Sequence, residues 1–313
     1  MAASTGTTEG RQVRGLLKVM AAAGAMGTLG PVAALAYGEG IGPATFSALR
    51  AGIGAAILGA LILSGLQPSV SLARLPDGQR VRLALAVAVN GLMNLVLFFA
   101  FGAMAIGLVM AVFYCYPVLV ALMSAALGRE RLTPVRILSL GIACAGLALV
   151  LGGQLGPEAH ATAAGIALAG IAATCHAIYL VTIRGGFDDV PGVQATSLVL
   201  AGGLVISGTA ALAISGVGIA GEWLVSPVAW AAILCAGTFG ALPKVWVMGG
   251  VRLIGSTRAA VALLMEPVVA VVVAALVLGQ QLTAAELAGG AAILVAVVLA
   301  QLPTTARSAL TAG

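Results

Sequence analysis

Glu266 and Lys244 are an acid and a base set deep inside long apolar stretches of this chain, where ionisable side chains are rare. A carboxylate midway along a membrane-crossing helix costs at least ~2.5 kcal/mol without a partner. Its chemistry there would be to take up a proton, to hold a substrate's amine, or to form half of a gate. The alternative is a permanently neutralised pair with Lys244 that only fixes helix packing. Pro267 follows the acid and frees the carbonyl of Leu263, bending the helix where the carboxyl sits. Pro243 precedes Lys244 in the same way. A shift of 150 residues lays Asn94 on Lys244, and Asn90 stands one turn before Asn94 on the same helix face. Two polar positions related by this shift point to one central cavity. Snorkelling of Lys244 to the nearer interface is the competing reading.

Other midspan residues suit a small organic molecule. Tyr114, Tyr116, Phe239 and Trp246 stand near span centres in a chain only 4% aromatic, and their faces can take an aromatic ring or a cationic amine. His176, Tyr179 and Thr182 share a helix face. A histidine titrates near neutrality unperturbed, which would suit proton coupling, although a histidine simply hydrogen-bonded in the bundle is the plainer expectation. Arg50 is also inside a span and reads as a packing or interface residue of secondary interest. There is no metal-spaced His, Cys, Asp or Glu set, no phosphate-cradling glycine loop and no acid pair suited to glycoside cleavage. No enzyme activity, metal or cofactor is expected.

The scaffold that positions these residues has little water-facing surface. The 313 residues are 61% hydrophobic and 8% charged, where water-soluble domains carry roughly a quarter charged residues. Most of the surface must face lipid, with each helix bonding its own backbone. Ten apolar spans follow: Gly15–Tyr37, Pro43–Gly65, Val81–Ala103, Gly107–Leu127, Pro134–Leu151, Ala163–Ile183, Gln194–Ser215, Val228–Gly250, Ser256–Leu278 and Ala284–Gln301. Small-residue steps such as Gly52–Ala56–Ala60 are expected to let helices pack closely. Cys115, Cys144, Cys175 and Cys235 all lie within spans and read as small packing residues.

The stretch Leu108–Thr133, LVMAVFYCYPVLVALMSAALGRERLT, returns as Arg258–Thr283, RAAVALLMEPVVAVVVAALVLGQQLT, with Pro117 on Pro267. The chain therefore reads as two five-helix units. An odd helix number places the second unit upside down relative to the first, a recurrent plan of secondary transporters. The expected divisions are a polar cytoplasmic tail over 1–14, a first repeat over 15–152, a second, inverted repeat over 163–301 and a cytoplasmic tail over 302–313. The first ten residues, MAASTGTTEG, are expected to be disordered. Basic residues set the orientation. Arg11, Arg14, Lys18, Arg74, Arg80, Arg82, Arg129, Arg131, Arg136, Arg184, Arg252, Arg258 and Arg307 all fall on one side. The loops around Glu39, Ala105, Glu158, Glu222 and Gln280 hold none. This places both termini in the cytoplasm. The formal charge of +5 thus reports topology and not nucleic-acid binding.

The paired segments YPVLVALMSAALGRERLT and EPVVAVVVAALVLGQQLT, with the openers AMGTLGP and CHAIYLVTIR, resemble the drug/metabolite transporter superfamily, specifically its ten-helix EamA-type bacterial exporters. The resemblance runs from Gly15 to Gln301. The chain departs from the family pattern at Met26 and His176, where a Trp is common, and at Glu130 and Gln280–Gln281, where the acid after the helix-end Gly is displaced or missing. Bacterial amino-acid exporters, the aromatic amino-acid exporter among them, look similar in length and layout. The resemblance implies an all-α, multi-pass protein of the bacterial inner membrane that exports small metabolites, amino acids first, by alternating access, with the proton as candidate coupling ion. The candidate substrate-binding set is Asn90, Asn94, Tyr114, His176, Tyr179, Phe239, Lys244, Trp246 and Glu266, and the candidate hinges are Pro31, Pro117, Pro243 and Pro267. Glu266 is expected to pair with Lys244 in one access state. A phosphorylated-metabolite or nucleotide-sugar exchanger, a channel and a non-catalytic membrane scaffold are the alternatives.

Overall fold

The computed structural model describes residues 2–27, 29–104, 106–152, 161–215, 226–278 and 283–302, and the regular elements among them are helices. In chain order these are α1 (Ala2–Gly27), α2 (Leu29–Gly38), α3 (Pro43–Leu63), α4 (Asp77–Ala103), α5 (Ile106–Phe113), α6 (Tyr116–Ala126) and α7 (Pro134–Gly152). The second half holds α8 (Ala163–Ile183), α9 (Gly192–Ser215), α10 (Pro227–Ile254), α11 (Ser256–Leu263), α12 (Met265–Leu278) and α13 (Ala284–Gln301). Among the described residues, nine stretches are long and apolar enough to cross a membrane. The expected span Gly15–Tyr37 is not one of them, and it runs across position 28, which lies outside the described residues. Helix begins at Ala2, so the polar lead-in continues α1 rather than being disordered. Extending an existing helix is far easier than nucleating one. The loop centres Ala105, Glu158, Glu222 and Gln280, and most of the tail over 302–313, lie outside the described residues.

The two proline-centred spans break at the same place. α5 stops at Phe113 and α6 starts at Tyr116, just before Pro117; α11 stops at Leu263 and α12 starts at Met265, just before Pro267. Each proline lacks the N–H that the carbonyl four residues earlier would accept, and tighter bonds to the third residue back carry the chain across. These are Cys115 N to Val112 O at 3.2 Å and Leu264 N to Val261 O at 3.1 Å. Pro31 lies within α2, close to position 28, which is outside the described residues. Pro243 behaves differently: α10 runs through it unbroken from Pro227 to Ile254. Ala241, Val247 and Met248 around it are buried, and that packing holds the helix where one backbone bond is missing.

Contacts between the halves come in related pairs. α1 lies on α10 as α8 lies on α4, and α3 meets α10 as α9 meets α4. The pairs α3–α9 and α7–α13 each map onto themselves when the halves are exchanged. Small residues make the closest seams: a Cβ on Gly146 would come 2.7 Å from the Gly289 oxygen, and one on Gly289 2.5 Å from that of Gly146. The Gly52–Ala56–Ala60 step is not such a seam, since Ala56 and Ala60 are exposed. Gly54 takes that role, where a Cβ would lie 2.9 Å from the Leu200 side chain and 3.2 Å from Ala241.

The arginine-rich end of the bundle is tied shut around Glu130, whose side chain is 4% exposed. Its carboxylate pairs with Arg184 and, at 3.3 Å, with Arg136. It also accepts from the Ser256 backbone N–H at 3.1 Å and the Ser256 hydroxyl at 3.2 Å, capping α11. Gly255 makes the turn between α10 and α11 at φ +94°, and a side chain there would strike the Arg184 guanidinium. Ser124 and Ser256 share a further bond of 2.9 Å, so α6, α8 and α11 meet at one point.

Candidate functional site

A cavity of about 200 Å³ lies between the halves, and its lining follows the 150-residue repeat. Met26 and His176, Asn94 and Lys244, Leu97 and Val247, Phe113 and Leu263, and Tyr116 and Glu266 are all repeat-related, and all line it. The cavity therefore sits where the two repeats exchange. In three of these pairs one half offers a neutral side chain and the other an ionisable one: Asn94 against Lys244, Met26 against His176, Tyr116 against Glu266. The chemistry comes from the departures from symmetry.

One wall is a ladder of donors. Arg50 on α3 donates through Nη2 to Asn94 Oδ1 at 3.0 Å. Asn94 Nδ2 donates to the Asn90 carbonyl at 2.7 Å and lies 3.3 Å from Asn90 Oδ1. Lys244 Nζ on α10 donates to that same Oδ1 at 3.2 Å. Lys244 is 8% exposed, and Asn90 is 1% exposed. Glu266 lies across the cavity at the start of α12, with Tyr114 near its carboxyl. Gly27 on α1 packs behind it, where a Cβ would come 2.6 Å from the Glu266 carbonyl oxygen. The expected Lys244–Glu266 pair is not a direct contact in this conformation: Lys244 holds the Asn90 side chain instead.

The facing wall is aromatic. The Tyr116 and His176 rings meet edge-on at 4.5 Å, Phe113 lies 5.4 Å from His176, and Tyr179 lies 6.2 Å from it. Phe113, Tyr116, His176 and Tyr179 all line the cavity, and His176 Nδ1 also touches Met93 Sδ at 3.0 Å. Tyr116 itself donates to the Ala260 carbonyl at 3.4 Å, which binds α6 to α11. Thr182, one turn beyond Tyr179, faces a separate cleft with Arg82 and Arg129.

Four sequence-derived candidates are not on the lining: Asn90 and Tyr114 sit behind it, beside Lys244 and Glu266, and Phe239 and Trp246 fall elsewhere. Phe239 is 63% exposed on the outer face of α10. At about 100° per residue it points roughly 140° away from Lys244, so one helix cannot offer both to one cavity. Trp246, two residues past Lys244, is half-buried against the core and does not line the cavity. Arg50, in contrast, is in the lining. The sequence signal for it was present, since a buried arginine in a span is as costly as a buried lysine. A larger cleft of about 960 Å³, between α5, α6 and α8, is lined by apolar residues with Cys115, Thr174 and Cys175 and has no acid or base. Its chemistry suits lipid rather than a polar cargo.

Residues 13–152 and 163–302 each match the EamA-like transporter family. A solved crystal structure, described only as that of a protein, is similar over 92% of this chain and 97% of its own, with a TM-score of 0.72 and 24% identity, which shows a shared fold alone. No curated protein matches the chain.

Proposed function

The chain belongs to the EamA-like transporter family, within the drug/metabolite transporter superfamily, and from that premise we propose that it exports small amphipathic metabolites, amino acids first, by alternating access. The observation that carries this reading is the axial cavity, in which Lys244 and Arg50 stand across from Glu266 beside an aromatic wall. The cations suit a carboxylate, Glu266 suits an amine, and the rings suit an apolar or aromatic side chain. Residues Phe46, Phe101 and Met110 extend the lining toward the arginine-poor end, while the Glu130 network closes the other. That supports reading this conformation as open away from the cytoplasm. The breaks before Pro117 and Pro267 serve as hinges for the rocking of two inverted halves.

Counterflow in proteoliposomes with labelled phenylalanine, leucine, glutamate and a sugar phosphate tests the proposal. Saturable exchange of an amino acid is expected. Flux that neither saturates nor shows counterflow would make the protein a pore. A second reading, exchange of phosphorylated metabolites, gains support from two cations sharing the cavity, and the sugar-phosphate arm decides it.

The protein's place, on this proposal, is the bacterial inner membrane with both termini cytoplasmic. In a variant with its four native cysteines replaced by alanine, Ser4→Cys and Ala312→Cys should resist an impermeant thiol reagent in intact cells, and Ala159→Cys should react. Labelling of either terminal site from outside would reverse the orientation.

A further inference from the structure

We infer that Arg50 anchors an organic carboxylate and makes this cavity select for anionic, amphipathic cargo, so that a carboxylate governs binding and an amine adds little. The inference rests on the transport reading for its physiological meaning, but its test is a binding measurement. Around the donor ladder, donors outnumber acceptors. The Asn94 Oδ1 already takes Arg50, and the Asn90 Oδ1 already takes Lys244. Arg50 Nε and Asn90 Nδ2 are buried with no acceptor among the described residues. Buried donors left unpaired are unfavourable, and an amide oxygen is a poor substitute for a carboxylate before a guanidinium fork. A cargo carboxylate entering beside Asn94 would meet the Arg50 guanidinium and the Lys244 ammonium, both on the lining, and would supply the acceptors this wall lacks.

The charge balance points the same way. Arg50 and Lys244 face one acid, Glu266, on the lining, a formal excess of one positive charge. A carboxylate cancels that excess, whereas an amine alone adds to it. Arg50 is also a charged lining residue whose repeat counterpart is not on the lining: the 150-residue shift lays Leu200 on it, and Leu200 packs against Gly54 instead. The selectivity is thus a property of one half only. The class of ligand is a small carboxylate with an apolar or aromatic body, with or without an α-amine.

The test uses the purified full-length protein in lipid nanodiscs and calorimetric titration with 3-phenylpropanoate, L-phenylalanine, L-phenylalaninamide and 2-phenylethylamine. The two carboxylates should bind at least tenfold more tightly than the amide and the amine. Arg50→Gln should weaken both carboxylates at least tenfold without weakening the amine, and Arg50→Lys should restore part of the loss, because it returns charge without the fork. Amine or amide binding equal to the acids overturns the inference, as does unchanged carboxylate affinity in Arg50→Gln or the absence of binding by either acid. If the variant does not fold, the comparison of L-phenylalanine with its amide on the wild-type protein decides alone. Carboxylate binding without counterflow would sink the transport proposal and leave the anion site standing. Counterflow of the amine with no preference for acids would do the reverse.

Discussion

Replacing Lys244 with methionine is expected to lower substrate flux by about a hundredfold while leaving the protein folded, because removing one partner of a desolvated charge interaction typically costs 2–5 kcal/mol. The ammonium is buried, bonded to Asn90 Oδ1 at 3.2 Å, and set against Glu266 across the cavity. Methionine keeps the length and apolar stem and removes the cost of burying a charge within the bundle, so the fold should not suffer. Counterflow together with a thermal melt separates the two outcomes. Wild-type kinetics in Lys244→Met would reduce the residue to packing. A collapse in melting temperature would mean that the bond to Asn90 is structural. Because Lys244 and Glu266 do not touch here, Glu266→Gln should impair flux without the shared stability penalty of a stranded ion pair. A strong stability coupling between the two variants would show that they pair closely in the other access state.

Glu130→Ala should be the most destabilising single change outside the cavity, by about 3 kcal/mol, the lower end of the range for breaking a buried ion pair at one partner. The substitution leaves Arg184 and Arg136 without their carboxylate and uncaps α11 at Ser256. Part of the Arg184 side chain remains exposed, at 39%, which keeps the loss from being larger. Glu130→Gln retains an acceptor for the Ser256 N–H and should lose roughly half as much, since the cap persists and the charge pairing does not. Thermal unfolding of the three proteins in the same detergent checks this. If Glu130→Ala melts with the wild type, the network closes nothing.

By the 150-residue shift Glu130 corresponds to Gln280, and Arg136 corresponds to Glu286, which is engaged in capping its own helix through Thr283. The arginine-rich end thus has an ionic closure whose central acid has a neutral amide, Gln280, as its sequence counterpart in the other half.

The sequence alone determined the features that depend on local composition and on self-similarity. Apolar length marks the spans, because a bilayer admits only helices that satisfy their own backbone. The 150-residue shift placed Asn94 with Lys244 in one cavity, since a duplicated fold carries equivalent positions to the same axis. Pro117 and Pro267 marked the helix breaks for a similarly local reason, a missing N–H. What the tertiary structure decided is which way each helix is turned and what the opposite half brings to it. Phe239 and Lys244 share a helix, yet only the rotation of α10 against α1 and α3 sends one outward and the other into the cavity. Pro243 is a candidate bend of the same kind, yet the helix runs through it as one continuous element with buried neighbours. Arg50 has no repeat partner, so no shift could flag it, and its role emerges only where α3 meets Asn94 of α4. Glu130 looked like a displaced family residue, and it became a hub because Arg184 and Ser256, 54 and 126 residues further along the chain, converge on it. Repeats and periodicity are written along the chain, whereas a contact between unrelated positions depends on the packing of all the helices at once.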